Sequence, residues 1–267
     1  MAQVGASVGQ KERYGKTQRV DRWWLEPVLV AGGLGAFIIY STFSALLGDH
    51  WPGTLVAAAE HTYEVGPYLS PFYEPLIRPS WMPEWISPAI LILPIPLSFR
   101  ATCYYYRRAY YRSFFMSPPA CSVLEPAKSY SGETRFPLIL QKLHRFALYL
   151  ALAFNVLLWI GAARAFYWEG SFGIGVGAVI MTVNAFLLMM YSLSCHSLRH
   201  LVGGSLDCFS CSNYTKVRHS VWERVTAWNE RHRLFAWCSL ISVGVTDLYI
   251  HLVATGVITD LHTWDKF

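Results

Sequence analysis

"LHRFALYLALAFNVLLWIGAARAF", residues 143–166, is a long apolar run in which polar side chains are few. A helix that crosses the hydrocarbon core of a bilayer needs about 20 mostly apolar residues. This stretch meets that length, so the sequence predicts a membrane-spanning helix here. The composition extends this interpretation to the whole chain, because 54% of its 267 residues are hydrophobic, only 15% are charged and the mean hydropathy is +0.29.

Four further windows of similar character occur along the chain, which predicts an all-α membrane protein with five transmembrane helices. The predicted spans cover residues 25–47, 85–106, 143–166, 172–195 and 234–258. The second window contains Pro88, Pro94 and Pro96, so we expect a kinked helix there. The sequence thus predicts four continuous crossings and one irregular crossing.

Positive charge is distributed unevenly between the segments that connect these windows. Residues 1–24 form a basic arm, and the loops 107–142 and 196–233 each carry six lysines and arginines, whereas the loop 48–84 carries one. Cytoplasmic loops retain positive charge, so the amino terminus is predicted inside and the tail 259–267 outside. This topology and contact with anionic lipid account for the net charge of +5, and no nucleic-acid recognition motif accompanies it.

Soft metal ligands gather where the fourth window ends. His196 and His200 share one face if the helix continues, and Cys208 and Cys211 form a CxxC pair. One interpretation is a closed tetrahedral zinc site. The other is a Rieske-like 2Fe-2S cluster with both cysteines on one iron and both histidines on the other, although the order HxxxH then CxxC differs from the usual Rieske pattern. Cys195 is an alternative thiolate in either case.

The remaining cysteines are isolated in the sequence. Cys103, Cys121 and Cys238 are interpreted as packing residues, because cysteine is common as a small buried hydrophobe. The cytoplasm keeps thiols reduced, so no disulfide is expected within the CxxC pair on the inner side.

The stretch KLHRFALYLALAFNVLLW, residues 142–159, and the five windows resemble the membrane anchor (cytochrome b-type) subunit of the succinate dehydrogenase and fumarate reductase family, in its single-chain bacterial form. The resemblance implies a multi-pass protein of the bacterial inner membrane in the respiratory chain. It also implies an iron-sulfur subunit and a flavoprotein as partners, membrane quinone as electron acceptor, and no catalysis on succinate by the chain itself. Assembly into a higher oligomer stays open.

Many members of that family hold b-type haem between histidines of facing helices. The second window has no histidine, and His144 and His251 lie roughly a membrane thickness apart, which makes haem less expected than a cluster at the inner face. A haem joining His144 to one of the cluster histidines stays open. Two other functions also stay open: a zinc-braced scaffold protein and a haem b membrane reductase.

Quinone reduction needs hydrogen-bond donors and a proton source beside an apolar slot. Residues of suitable type lie at the inner ends of the predicted helices. The candidates are Tyr105, Tyr106, Arg107, His144, Arg145, Trp228 and His232. The same residue types anchor helices at any membrane interface, so each has this second interpretation.

Overall fold

The computed structural model describes residues 13–47, 62–83, 86–127, 134–136 and 138–264. The helices are α1 (Leu25–Leu47), α2 (Ala89–Ile92), α3 (Pro94–Thr102), α4 (Tyr104–Ala109), α5 (His144–Arg164), α6 (Val176–Leu193), α7 (His196–Gly203), α8 (Asn213–Asn229) and α9 (His232–Ala254). A π-helix (Tyr110–Phe114) follows α4, and a 3-10 helix (Leu138–Leu143) leads into α5. Two antiparallel hairpins pair β1 (Glu64–Val65) with β2 (Tyr68–Leu69) and β3 (Tyr167–Trp168) with β4 (Ser171–Phe172).

Within the described ranges, four helical segments are long and apolar enough to cross a membrane. They are Leu25–Leu46, Leu138–Arg164, Val176–Leu193 and His232–Ala254. These segments coincide with the first, third, fourth and fifth predicted spans. The predicted all-α membrane class is therefore confirmed, whereas the number of five crossings and the orientation of the termini stay predictions.

The second predicted span is a chain of short helices. Leu93 separates α2 from α3, and Pro94 opens α3, where its missing N–H costs no hydrogen bond. The expected kink is thus present. A second break, at Cys103, has no proline: this residue has an extended backbone (φ −64°, ψ 133°) and ends α3 before α4 begins. The first residue of the predicted span, Trp85, lies outside the described residues.

The predicted inner loop 196–233 is mostly helical. Gly203 is the last residue of α7, and Ser212 begins α8 through a reciprocal capping box with Thr215. The Arg218 guanidinium of α8 donates to the Val202 carbonyl oxygen of α7 at 2.8 Å and 2.6 Å. These contacts fix α7 and α8 as one unit at the inner end of the bundle, meaning the end that the charge pattern predicts to be cytoplasmic.

The core of the bundle consists of α5, α6 and α9, with α3 packed against α5. Polar pairs connect these helices inside it. Asn155 Nδ2 donates to Ser192 Oγ at 2.8 Å between α5 and α6, and Ser242 Oγ donates to Asn184 Oδ1 at 3.1 Å between α9 and α6. Such pairs specify helix packing in lipid, where apolar contact alone gives little preference.

Glu74, in the segment after β2, gives a prediction about stability. Its side chain is 7% exposed and packs against α5 in the space left by the missing side chain of Gly161. Burial raises the pKa of the Glu74 carboxyl from 4.5 to about 8, and Arg164 opposes this rise. Because the folded form holds its proton to higher pH than the unfolded form, this carboxyl loses its favourable contribution as pH rises from about 4.5 to about 8.

Glu74→Gln should therefore match the wild type at pH 4 and unfold several degrees above it at pH 8, because the amide cannot ionise. Thermal unfolding of the purified complex at both pH values measures the difference. Glu230→Gln, at an exposed position, is the matched control and should change neither value. Equal melting temperatures of Glu74→Gln and wild type at pH 8 would contradict the prediction.

Candidate metal centre

The four ligands predicted after the fourth span do not converge. His196 and His200 are exposed on α7, with their Nε2 atoms 3.1 Å apart. Cys208 and Cys211 form a disulfide, contrary to the expectation of free thiols, because the CxxC turn brings their Cα atoms to 5.7 Å, within disulfide range. Across the part of the chain that the structure describes, no three or more His, Cys, Asp or Glu side chains are grouped to hold a metal ion.

Two other cysteine–histidine pairs lie inside the inner end of the bundle. Cys195 follows α6, and its Sγ is 3.0 Å from Nε2 of His144 at the start of α5. Cys103 lies between α3 and α4, and its Sγ is 3.4 Å from Nε2 of His232 at the start of α9. Cys103, His144 and Cys195 are almost fully buried, and His232 is partly buried. The interpretation of Cys103 as a packing residue is thus incomplete.

A hydroxyl group binds the second nitrogen of each imidazole. Thr102 Oγ1 is 2.9 Å from Nδ1 of His144, and Ser194 Oγ is 2.8 Å from Nδ1 of His232. These hydroxyl residues directly precede the two cysteines, so the dipeptides 102–103 and 194–195 each touch both imidazoles. Since consecutive Cα atoms are 3.8 Å apart, the two pairs border one common region.

Both cysteines reach this region through the same backbone feature. Cys195 (φ −67°, ψ 139°) and Cys103 (φ −64°, ψ 133°) are extended residues, and each occupies the N-cap position of a short helix. The Cys195 thiol also accepts the Ser197 backbone N–H at 3.4 Å. An extended residue between two helices ends the first and begins the second, and both cysteine side chains are almost fully buried there.

Aromatic rings cover the two imidazoles. Phe99 stacks on His144 with ring centroids 4.8 Å apart and planes 7° apart. Tyr191 stacks on His232 with centroids 5.1 Å apart and planes 15° apart. These rings fix the imidazole planes and keep water from one face of each.

Two thiols and two imidazoles are the donor types of Rieske-type clusters and of Cys2His2 zinc sites. A hydroxyl bonded to Nδ1 leaves Nε2 as the nitrogen that faces the thiol. A ligating histidine usually has such an outer partner on its second ring nitrogen. The residue types match a centre with two cysteines and two histidines. In this arrangement a thiol lies against each Nε2, so a haem iron and a cluster iron would each require the cysteines to move.

Comparison with known proteins places the chain in a family. Residues 25–256 match the family model for the actinobacterial succinate dehydrogenase subunit SdhC. The chain belongs to this family. It is also similar to a chain of the Mycobacterium smegmatis Sdh1 complex in the apo form, with 42% sequence identity, a TM-score of 0.79 and 97% of each chain covered. Among curated proteins no match is found.

Membership in the SdhC family confirms the resemblance predicted from the sequence. The chain is a membrane subunit of a succinate dehydrogenase complex, and it is a multi-pass protein of the bacterial inner membrane. The predicted setting of iron-sulfur and flavoprotein partner subunits, quinone and lipid is confirmed with it.

The residues predicted to bind quinone are dispersed in this family member. His144 and His232 belong to the cysteine–histidine pairs. Tyr105, Tyr106 and Trp228 pack in the hydrophobic cluster at the inner end, where the Tyr106 hydroxyl donates to a carbonyl oxygen of α9 at 2.9 Å.

The two remaining quinone candidates are cationic. Arg107 lies over the Tyr104 ring, 5.3 Å from its centroid, and Arg145 is exposed. The structure therefore does not gather the seven predicted residues around one slot.

Proposed function

We propose that this SdhC-family subunit passes electrons from its iron-sulfur partner to membrane quinone through a Rieske-like 2Fe-2S centre held by Cys103, His144, Cys195 and His232. The proposal rests on two thiols that each lie against an imidazole in one buried region. This ligand set replaces the one predicted after the fourth span. Quinone takes up two electrons and two protons to form quinol, and the oxidation of succinate to fumarate in the partner subunits releases the same number of each.

The chain contributes the surroundings that such a centre requires. Thr102 and Ser194 hold the two imidazoles in one tautomer, so that Nε2 is available as a ligand. Phe99 and Tyr191 reduce access of water. When bound, a cluster with histidine ligands supplies one-electron transfer at a higher potential than a cluster with cysteines alone.

The proposal includes the predicted topology of five crossings with the amino terminus inside. The segment from α2 to the π-helix packs against α5 and exposes apolar side chains such as Ile90 (46%) and Leu97 (64%), as lipid-facing residues do. With this orientation, the two cysteine–histidine pairs lie near the cytoplasmic face, where the soluble iron-sulfur partner docks.

Quinone binding at the inner end remains part of the proposal. Tyr105 lines a small groove at the inner end together with Arg108, Arg112 and Arg233. The arginines supply donors for a quinone carbonyl oxygen, and the neighbouring tyrosine supplies an apolar ring.

The test is the metal content and the paramagnetic spectrum of the purified complex. We expect iron and acid-labile sulfide in excess of the partner subunits' own clusters, and a reduced signal with the low average g-value of mixed histidine and cysteine ligation. Stoichiometric zinc without this signal would favour the second candidate function, a zinc-braced anchor, because the same four donors suit tetrahedral zinc. A complex that contains neither the additional iron nor zinc would refute both functions.

A further inference from the structure

Cationic side chains gather along the groove at the inner end of the bundle. The groove lies between the start of α1, the segment of α4 and the π-helix, and the start of α9, and its lining includes Arg108, Arg112, Arg233 and Glu26. Arg233 Nη2 lies 3.2 Å from Glu26 Oε1, so these two charges offset each other. Within the described residues, neither Arg108 nor Arg112 forms an ion pair. The groove therefore carries two positive charges that no carboxylate balances.

The Arg112 side chain also has a buried donor at this groove. Its Nε atom is buried, and no residue that the structure describes accepts a hydrogen bond from it. A charged donor that is buried without an acceptor is unfavourable, so the position favours a ligand that supplies one. A guanidinium presents several N–H donors in one plane and binds phosphate oxygens through parallel hydrogen bonds. Arg112 is thus suited to an oxyanion.

Exposed apolar side chains occur in the same segments as these arginines. Trp24, directly before α1, is exposed, and Val28 and Leu29 in the first turns of α1 are 54% and 63% exposed. Phe114 and Phe115, at the end of the π-helix, are exposed as well. Tryptophan and other aromatic rings beside cations are typical of the boundary between lipid headgroups and acyl chains. The groove therefore lies at the depth of a membrane interface.

We propose that this groove binds the phosphate group of an anionic membrane lipid. Basic pockets between membrane helices on the cytoplasmic side bind acidic headgroups, and the charge pattern predicts that side for the inner end. Two guanidiniums offset the negative charge of such a headgroup, whereas a quinone carbonyl oxygen is neutral and offsets none. The lipid site therefore goes beyond the proposed function, and it does not depend on quinone binding in the same groove.

Two other sources of negative charge suit a pair of arginines. Inorganic phosphate has the same oxygen chemistry but no acyl chains, so it would leave the exposed side chains of α1 and the π-helix in water. An acidic surface of a partner subunit is the second source. The apolar side chains beside the arginines favour the lipid over both, because acyl chains cover apolar surface while the headgroup meets the cations.

The experiment is a lipid titration of the purified complex, delipidated in neutral detergent and followed by native mass spectrometry. The probes are phosphatidylglycerol, which is anionic, and phosphatidylcholine, in which choline balances the phosphate. Arg108→Gln and Arg112→Gln should each weaken binding of the tightest phosphatidylglycerol about fivefold, and the double variant about 25-fold, as expected for the loss of one and two cations beside an anionic lipid. Binding of phosphatidylcholine should not change.

The matched control removes two charges outside the groove. Arg135 and Arg224 are exposed and do not line it. The double variant Arg135→Gln with Arg224→Gln should bind phosphatidylglycerol as the wild type does. Equal weakening in this control and in the groove variant would overturn the inference, because the effect would then follow net charge rather than the groove.

A second variant covers the case in which loss of Arg112 prevents assembly. Arg108 is exposed, so Arg108→Glu should preserve packing and weaken phosphatidylglycerol binding more than Arg108→Gln does, whereas Arg108→Lys should retain most of it. Unchanged binding in Arg108→Glu would overturn the inference. Displacement of the lipid by inorganic phosphate would overturn it in favour of a soluble anion, and loss of partner subunits with lipid binding retained would overturn it in favour of a protein contact. The metal content and the paramagnetic spectrum of the wild-type complex test the proposed function separately.

Discussion

Quinone reduction driven by succinate should fall by more than about 100-fold when Cys195 is replaced by serine, whereas succinate-driven reduction of a water-soluble acceptor should stay near the wild-type rate. Loss of an outer partner of a ligand typically costs roughly 10–100-fold, and loss of the ligand itself costs more. Serine keeps the size of the side chain and an acceptor for the Ser197 N–H, so the helix break is preserved. The partner subunits oxidise succinate and are left intact.

The two assays separate loss of electron transfer from loss of assembly. In the same variant, the paramagnetic signal of a histidine-ligated cluster should disappear. Cys103→Ser, His144→Ala and His232→Ala should give the same pattern, because each removes one member of the two pairs.

Matched controls come from the ligands that the sequence predicts and the structure separates. Cys208→Ser and His196→Ala make the same chemical changes outside the buried pairs, and both should retain the signal and the quinone reductase activity. If Cys208→Ser lost the signal and the activity while Cys195→Ser retained them, the ligands would be the HxxxH and CxxC residues instead.

The membrane-spanning segments were predictable because hydropathy over about 20 residues is a local property of the sequence. Four windows reappear as continuous helical segments. The break at Cys103 was not predictable from local propensity, because neither proline nor glycine occurs there. Tertiary packing imposes the extended backbone at this position.

The ligand set that we propose differs from the predicted one for a different reason. HxxxH and CxxC intervals bring side chains close to each other locally, but they do not say which way a helix face points, and α7 turns both histidines outward. The buried pairs join residues 51 and 129 positions apart, a distance over which sequence spacing carries no information.

A signal for the buried pairs is nevertheless present in the sequence. A hydroxyl residue followed by cysteine ends two predicted spans at the same side, as Thr102-Cys103 and Ser194-Cys195. A histidine begins two others there, His144 and His232. This repetition could be recognised in the sequence. Which cysteine contacts which histidine could be known only from the packing of the helices.

Asp247→Ala should cause the largest loss of stability of the variants considered, about 3–5 kcal/mol, because it removes one partner of a buried charged network. Asp247 is fully buried in α9. One carboxylate oxygen accepts from the hydroxyls of Tyr40 and Ser44, each at 2.6 Å, and the other accepts from Ser70 and lies 3.4 Å from His251 Nε2. The network joins α1, the segment after β2, and α9.

The measurement is the thermal unfolding and the yield of the purified complex. Asp247→Asn should lie between wild type and Asp247→Ala, because its amide oxygen still accepts hydroxyl hydrogen bonds while the charge is lost. Asp207→Ala, at an exposed position, should behave as wild type. A melting temperature of Asp247→Ala within error of the wild type would show that the network does not stabilise the fold.

The same variants separate stability from electron transfer. Asp247 and His232 lie fifteen residues apart on α9, which at a rise of 1.5 Å per residue is roughly 22 Å. At that distance the intact Asp247→Asn complex should keep the cluster signal and its midpoint, although it unfolds at a lower temperature. If Asp247→Asn also lost the cluster signal, α9 would transmit packing changes along its whole length, and the two ends of the bundle could not be treated as independent.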